Sequence, residues 1–161
     1  MALADVFATL ARHRVEFVVV GGMAGALQGA PVQTFDIELV YARDEVNITR
    51  LLGALHELDA VFRVDARGLR PNESHLRSSG HKLLRTAHGA LDVLGSIEED
   101  MGYAELLADS VELEVAGVVV RVITLERLIR INEKLTRPTD VAMLLVLRAT
   151  LAESRRTSRD P

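Results

Sequence analysis

Three acids lie in apolar, strand-like surroundings: Asp36 and Glu38 in the run Asp36-Ile37-Glu38-Leu39-Val40, and Asp92 in Leu91-Asp92-Val93-Leu94. A carboxylate in such a setting is costly unless it is paired, metal-bound or exposed at a strand end. Residues two apart on a strand point to one face, so Asp36 and Glu38 project side by side, their backbones roughly 7 Å apart. One hard cation can bridge them. Mg²⁺ takes carboxylate oxygens and keeps positions open for phosphates, and two such ions about 4 Å apart can activate an attacking oxygen and stabilise a leaving one. Asp92, from a neighbouring strand, is the candidate third ligand. Gly21-Gly22 supplies the other half of such a site, because glycine lets backbone N–H groups approach phosphates and the start of the next helix favours negative charge.

For these residues to meet, strands must carry them to one place. Phe17-Val18-Val19-Val20 is β-branched and continuous, as expected of a strand buried on both faces and stopped by Gly21-Gly22. Before it, Leu3, Val6, Phe7 and Leu10 give residues 2–13 helical spacing. Residues 23–28 read as a short Ala-rich helix ended at Gly29-Ala30-Pro31. Residues 36–41 form the second strand, and Asp44 caps a helix over 45–58. Residues 90–97 form a third central strand, and 103–107 a short helix. Residues 111–115 and 118–123 pair as a hairpin about Ala116-Gly117. Thr124 caps a helix over 125–134, and Pro138 opens a last helix over 139–151.

Between these elements, residues 63–82 are the least regular, with Arg67, Arg70, His75, Arg77 and His81 beside Gly68, Pro71 and Gly80, and read as a loop that is either functional or partly disordered. Lys82, at its end, and Arg85, just beyond it, are candidate phosphate contacts. Residues 153–161, rich in Ser, Arg and Asp, read as a disordered tail to one domain spanning 1–152.

Composition narrows the function classes. At 48% hydrophobic and only 4% aromatic, the 161 residues must build their core from Val, Leu, Ile and Ala, which favours α/β over an all-β binding module. A net charge of -4 argues against bulk coating of nucleic acid, and the lack of cysteine removes disulfides and thiolate chemistry. The five histidines show no metal-ligand spacing, and Ser78-Ser79 and Ser96 lack a paired base. With no basic leader and no run of about 20 apolar residues, a soluble cytoplasmic protein is expected.

Val20-Gly21-Gly22, followed after 13 intervening residues by Asp36-Ile37-Glu38-Leu39, resembles the signature of the polymerase-beta-like nucleotidyltransferase superfamily. The likeness extends to small bacterial nucleotidyltransferases of the toxin–antitoxin and abortive-infection type. Their threonine before the acids is matched by Thr34, and their later strand by Gly89-Ala90-Leu91-Asp92-Val93-Leu94. Their closing helix and turn resemble Leu128-Ile129 and Arg137-Pro138-Thr139-Asp140. The resemblance covers about residues 15–148.

That resemblance implies an α/β (α+β) fold, a mixed β-sheet flanked by helices with a C-terminal helical segment. It implies Asp36 and Glu38 as Mg²⁺ ligands, Asp92 as third ligand and candidate general base, and Gly21, Gly22 and Thr34 beside an NTP. The reaction would transfer NMP to a hydroxyl of an RNA, a protein or a small molecule. Two departures stand out: relatives carry arginine where this chain has Val32, and lysine where it has Asn132, with Lys134 nearby. They favour a second class of function, a catalytically degenerate protein acting as the antitoxin-like companion of a cognate partner or as a nucleotide-binding regulator.

Overall fold

The structure is a computed structural model that describes residues 2–98 and 101–159. Helix α1 (Ala2–Arg12) leads into β1 (Phe17–Val20), which passes directly into α2 (Gly21–Leu27). Strand β2 (Ile37–Tyr41), helix α3 (Glu45–Glu57), the two-residue β3 (Val61–Phe62) and α4 (Glu73–Arg77) follow. Next come β4 (His81–Thr86), β5 (Gly89–Leu94), α5 (Tyr103–Ala108), β6 (Ser110–Val115), β7 (Val118–Ile123), α6 (Leu125–Asn132) and α7 (Pro138–Arg159).

The strands make one seven-stranded sheet in the order β3-β4-β5-β2-β1-β7-β6. It is mixed: β2 runs parallel to β5 and β1 to β7, and the other neighbours are antiparallel. β1 and β2 are central, which explains their apolar runs. Val18, Val19, Leu39, Val40 and Tyr41 have no exposed surface. One face carries Tyr41 and packs against α1, α3 and α4 through Phe7, Leu10, Ile48, Leu51, Leu55 and Leu76, all fully buried. α2 and α6 lie together against α7, whose Leu147 is likewise inaccessible.

Local signals place the elements much as read. Asp44 accepts from the Asn47 N–H to open α3, Thr124 accepts from the Arg127 N–H to open α6, and Ala116-Gly117 turn the β6–β7 hairpin at φ 51° and 82°. Buried Asn47 adds a tie that spacing does not reveal. Its side chain accepts from the Glu16 N–H at 2.7 Å and donates to the Glu16 and Ala42 carbonyls, pinning α3 across the ends of β1 and β2.

Two expectations are corrected. The stretch 63–82 is not a structureless loop. β3 precedes it, α4 lies inside it behind a reciprocal Asn72–His75 cap, and its last residues begin β4. The strand was hidden because the inward positions of β4 are Lys82, Leu84 and Thr86, so two of its three buried side chains are polar. The expected tail also differs: α7 continues through residues 153–159, with Glu153 paired to Arg156 and its carbonyl accepting from Thr157. Residues 160–161 lie outside the described residues. Among the described residues, no helix is long and apolar enough to cross a membrane.

Candidate functional site

Register brings the acids together. On parallel β2 and β5, Glu38 lies opposite Asp92, and on antiparallel β4, Leu83 lies opposite Asp92. Opposed residues share a face of the sheet, so these side chains stand in one row. The row extends to Arg63, whose N–H donates to the Leu83 carbonyl at 2.9 Å just after β3 pairs Phe62 with Leu84. Asp36, exposed and one residue before β2, contributes the third negative charge.

The electrostatics record this convergence. Burial first, then the charges of Asp92 and Asp36, hold the Glu38 carboxyl above the usual range, with His81 opposing them. Asp92, only 8% exposed, is partnered: the Arg63 Nη1 donates to its Oδ1 at 2.8 Å and to the Leu84 carbonyl at 2.9 Å. The bond to Asp92 holds the Arg63 guanidinium above its usual range; burial opposes the rise, and the charges of Asp92 and Asp36 add to it.

The glycine turn closes on the same carboxylate. Gly21 has φ +68°, and a β-carbon there would meet the carboxyl carbon and Oε1 of Glu38 at 2.9 Å. At Gly22 the nearest neighbour is the Thr34 side chain, where an added β-carbon would stand 3.5 Å from Oγ1. The Thr34 hydroxyl donates to the Asp36 carbonyl at 3.3 Å. A cavity of about 340 Å³ opens beside Gly21, Gly22 and Glu38, walled by Leu128, Ile131 and Met143 and reached by Asn132. A larger cleft of about 730 Å³ lies past the far ends of β2 and β5 and touches none of the three acids.

The basic residues separate. Lys82 faces the opposite side of the sheet from Asp92, and its ammonium donates to the Tyr41 hydroxyl at 2.8 Å and to the Ser78 and Gly80 carbonyls at 2.6 and 2.7 Å. Its three N–H bonds are made there, away from the acids. Lys82→Ala is therefore expected to cost about 1–3 kcal/mol by leaving acceptors unsatisfied. Urea unfolding checks this, with nucleotide affinity unchanged. Arg85 stays on the acids' face, exposed, opposite Ala90. Val32 packs half-buried against the core, and Lys134 is drawn to Glu98 at 3.1 Å, so neither supplies a cation to the acids.

Sequence reading missed Arg63 and His81 as neighbours of the acids. Arg63 stood at the edge of an irregular stretch, and only strand pairing across β4 brings it over Asp92. The carboxylate set suits a hard divalent ion in kind, and the mutual repulsion around Glu38 is what a cation would relieve. Among the described residues, however, no three acidic or imidazole groups stand close enough to share one ion. Asp36 and Glu38, two residues apart, are the pair of acids that would hold such an ion.

No protein-family model matches the sequence, and no curated protein does. Solved structures do match. LnuA, a lincosamide antibiotic adenylyltransferase solved with lincomycin, is 15% identical over 92% of this chain and 96% of its own, with a TM-score of 0.65. ANT(2")-Ia, solved with adenylyl-2"-tobramycin, is 16% identical over 96% of this chain and 91% of its own, with a TM-score of 0.60. An antigenic nucleotidyltransferase-like protein from Paracoccidioides brasiliensis is 19% identical over 89% of this chain and 72% of its own, also at 0.60. At these identities the likeness is one of fold: the chain shares the mixed α/β architecture of these nucleotidyltransferase structures.

Proposed function

We propose that this chain is a Mg²⁺-dependent nucleotidyltransferase that moves NMP from an NTP to a hydroxyl acceptor, breaking the α–β phosphoanhydride bond and releasing pyrophosphate. The observation that carries this reading is the contact between Gly21 and the Glu38 carboxylate, which puts a backbone turn suited to phosphates against two further acids. Mg²⁺ bound by Asp36 and Glu38 would neutralise phosphate charge and lower the pKa of an oxygen nucleophile. Asp92, freed from Arg63, is the proposed third ligand and the base that receives the acceptor's proton. In this reading Gly21 and Gly22 offer N–H groups to phosphate oxygens beside Thr34, and Arg85, exposed on the acids' face, meets phosphates there. The apolar wall of Leu128, Ile131 and Met143 suits a nucleoside. LnuA and ANT(2")-Ia are described with adenylyl groups and small antibiotic molecules, which supports a small hydroxyl compound as acceptor alongside RNA and protein.

Calorimetry with each NTP and Mg²⁺ tests the reading. Binding is expected to require the metal and to weaken at least about tenfold in Asp36→Ala, in keeping with loss of an ion–phosphate bridge. Equal binding by the variant would count against it. The second reading, a catalytically degenerate companion of a partner protein or a regulator that binds nucleotide without turnover, draws on Arg63 seated on Asp92 and on Val32 and Asn132 in place of basic groups. Toxin–antitoxin membership belongs to that reading. A copurified partner, with no label moved from α-³²P-NTPs to any acceptor, would favour it.

A further inference from the structure

Among the described residues, Arg63 is the one cation in direct ion-pair contact with the acid row, and how it is held bears on what it does. It enters from the edge of the sheet, beyond a strand of two residues, and reaches across β4 over Leu83. Its Nη1 alone makes both contacts, one to Asp92 and one to the Leu84 carbonyl. A locked arginine–carboxylate pair is bidentate, with two parallel bonds. This one is single, leaves the second Asp92 oxygen to other partners, and joins an arginine side chain 31% exposed to an aspartate side chain 12% exposed. The guanidinium therefore has a route to solvent that the carboxylate lacks.

We infer that Arg63 is a built-in counter-ion which holds Asp92 until a divalent cation takes its place, so that the metal-free protein carries its own charge at the third acid. The inference rests on the proposed metal site. Without Arg63 and without metal, three carboxylates would face one another with His81 as the neighbouring imidazole; with Arg63 in place, the row is balanced but incomplete as a metal site. Arginine and metal then compete for one carboxylate. By linkage, whatever stabilises the arginine-bound form weakens metal binding by the same factor.

Titrating Mn²⁺ into the full chain without nucleotide, with free ion followed by electron paramagnetic resonance, tests this in wild type, Arg63→Gln and Asp36→Ala. Arg63→Gln is expected to bind Mn²⁺ about tenfold more tightly, within the range of ordinary coupling energies. Its melting temperature should fall below wild type in EDTA and recover with Mn²⁺. Should the glutamine variant not fold, Arg63→Lys replaces it. Its lysine keeps the charge without the guanidinium's reach, and intermediate affinity is expected. Affinity equal to wild type, in whichever variant folds, would overturn the counter-ion role while leaving the metal site standing. If neither wild type nor the Arg63 variant bound Mn²⁺ in an Asp36-dependent way, the metal site itself would fall and the counter-ion role with it.

Discussion

Glu38→Gln is expected to make the metal-free protein more stable while removing its activity. Glu38 is folded with its carboxyl above the usual range, chiefly by burial and then by Asp92 and Asp36. A group raised in this way stabilises the fold fully below the ordinary carboxylate range and loses that contribution as pH rises through the raised value. Above that raised value the folded protein carries an ionised Glu38 at a cost. Glutamine keeps the shape and drops the charge. The melting temperature in EDTA should rise by about 2–4 °C at pH 7.5, the response of a domain of this size to about 1 kcal/mol. The gain should shrink toward zero as pH falls to the ordinary carboxylate range. Mg²⁺ should raise the melting temperature of wild type and not of the variant, and label transfer from NTP should drop at least about a hundredfold, as when a group that stabilises developing charge is removed. A variant no more stable than wild type at any pH would show that the acids do not repel one another as placed.

Gly21→Ala is expected to injure the site more than the fold. At φ +68° an L-residue costs about 1–2 kcal/mol, offset in part by the stiffer unfolded chain. The larger effect is local. A methyl at 2.9 Å from the Glu38 carboxyl carbon must push something aside, and what yields is the flexible end of Glu38, the metal-facing carboxylate itself. A displacement of about 1 Å at a reacting centre can cost about a hundredfold in rate. NTP transfer should fall by that order while denaturant titration shows a loss of about 1 kcal/mol. Gly22→Ala is the control, because its added β-carbon would stand 3.5 Å from Thr34, an ordinary contact. If the two variants lost activity equally, the closeness of Gly21 to Glu38 would not be what matters.

Much of this architecture was legible in the chain. The runs Phe17–Val20 and Ile37–Tyr41 are apolar because their strands sit mid-sheet, and the caps at Asp44 and Thr124 are local chemistry that needs no distant partner. β4 was not legible, since burying Lys82 depends on three oxygens, two of them in the preceding turn and one on Tyr41, 41 residues earlier. The helical course of residues 153–159 was missed for a related reason. Composition there lacks apolar periodicity, but the helix is carried forward from a packed segment and continues with local pairs such as Arg156 to Glu153.

For the site itself, the sequence alone determined that Asp36 and Glu38 project together, because strand periodicity is a property of adjacent residues. It also offered Gly21-Gly22 at a strand end. Only the tertiary structure decided that the turn presses on Glu38 rather than on Asp36, that Asp92 stands opposite Glu38, and that Arg63 already holds that aspartate. Lys82 and Arg85, three residues apart in the chain, were sent to opposite faces of the sheet. Each of these depends on register between strands distant in sequence, and a shift of one residue reverses every side chain's face.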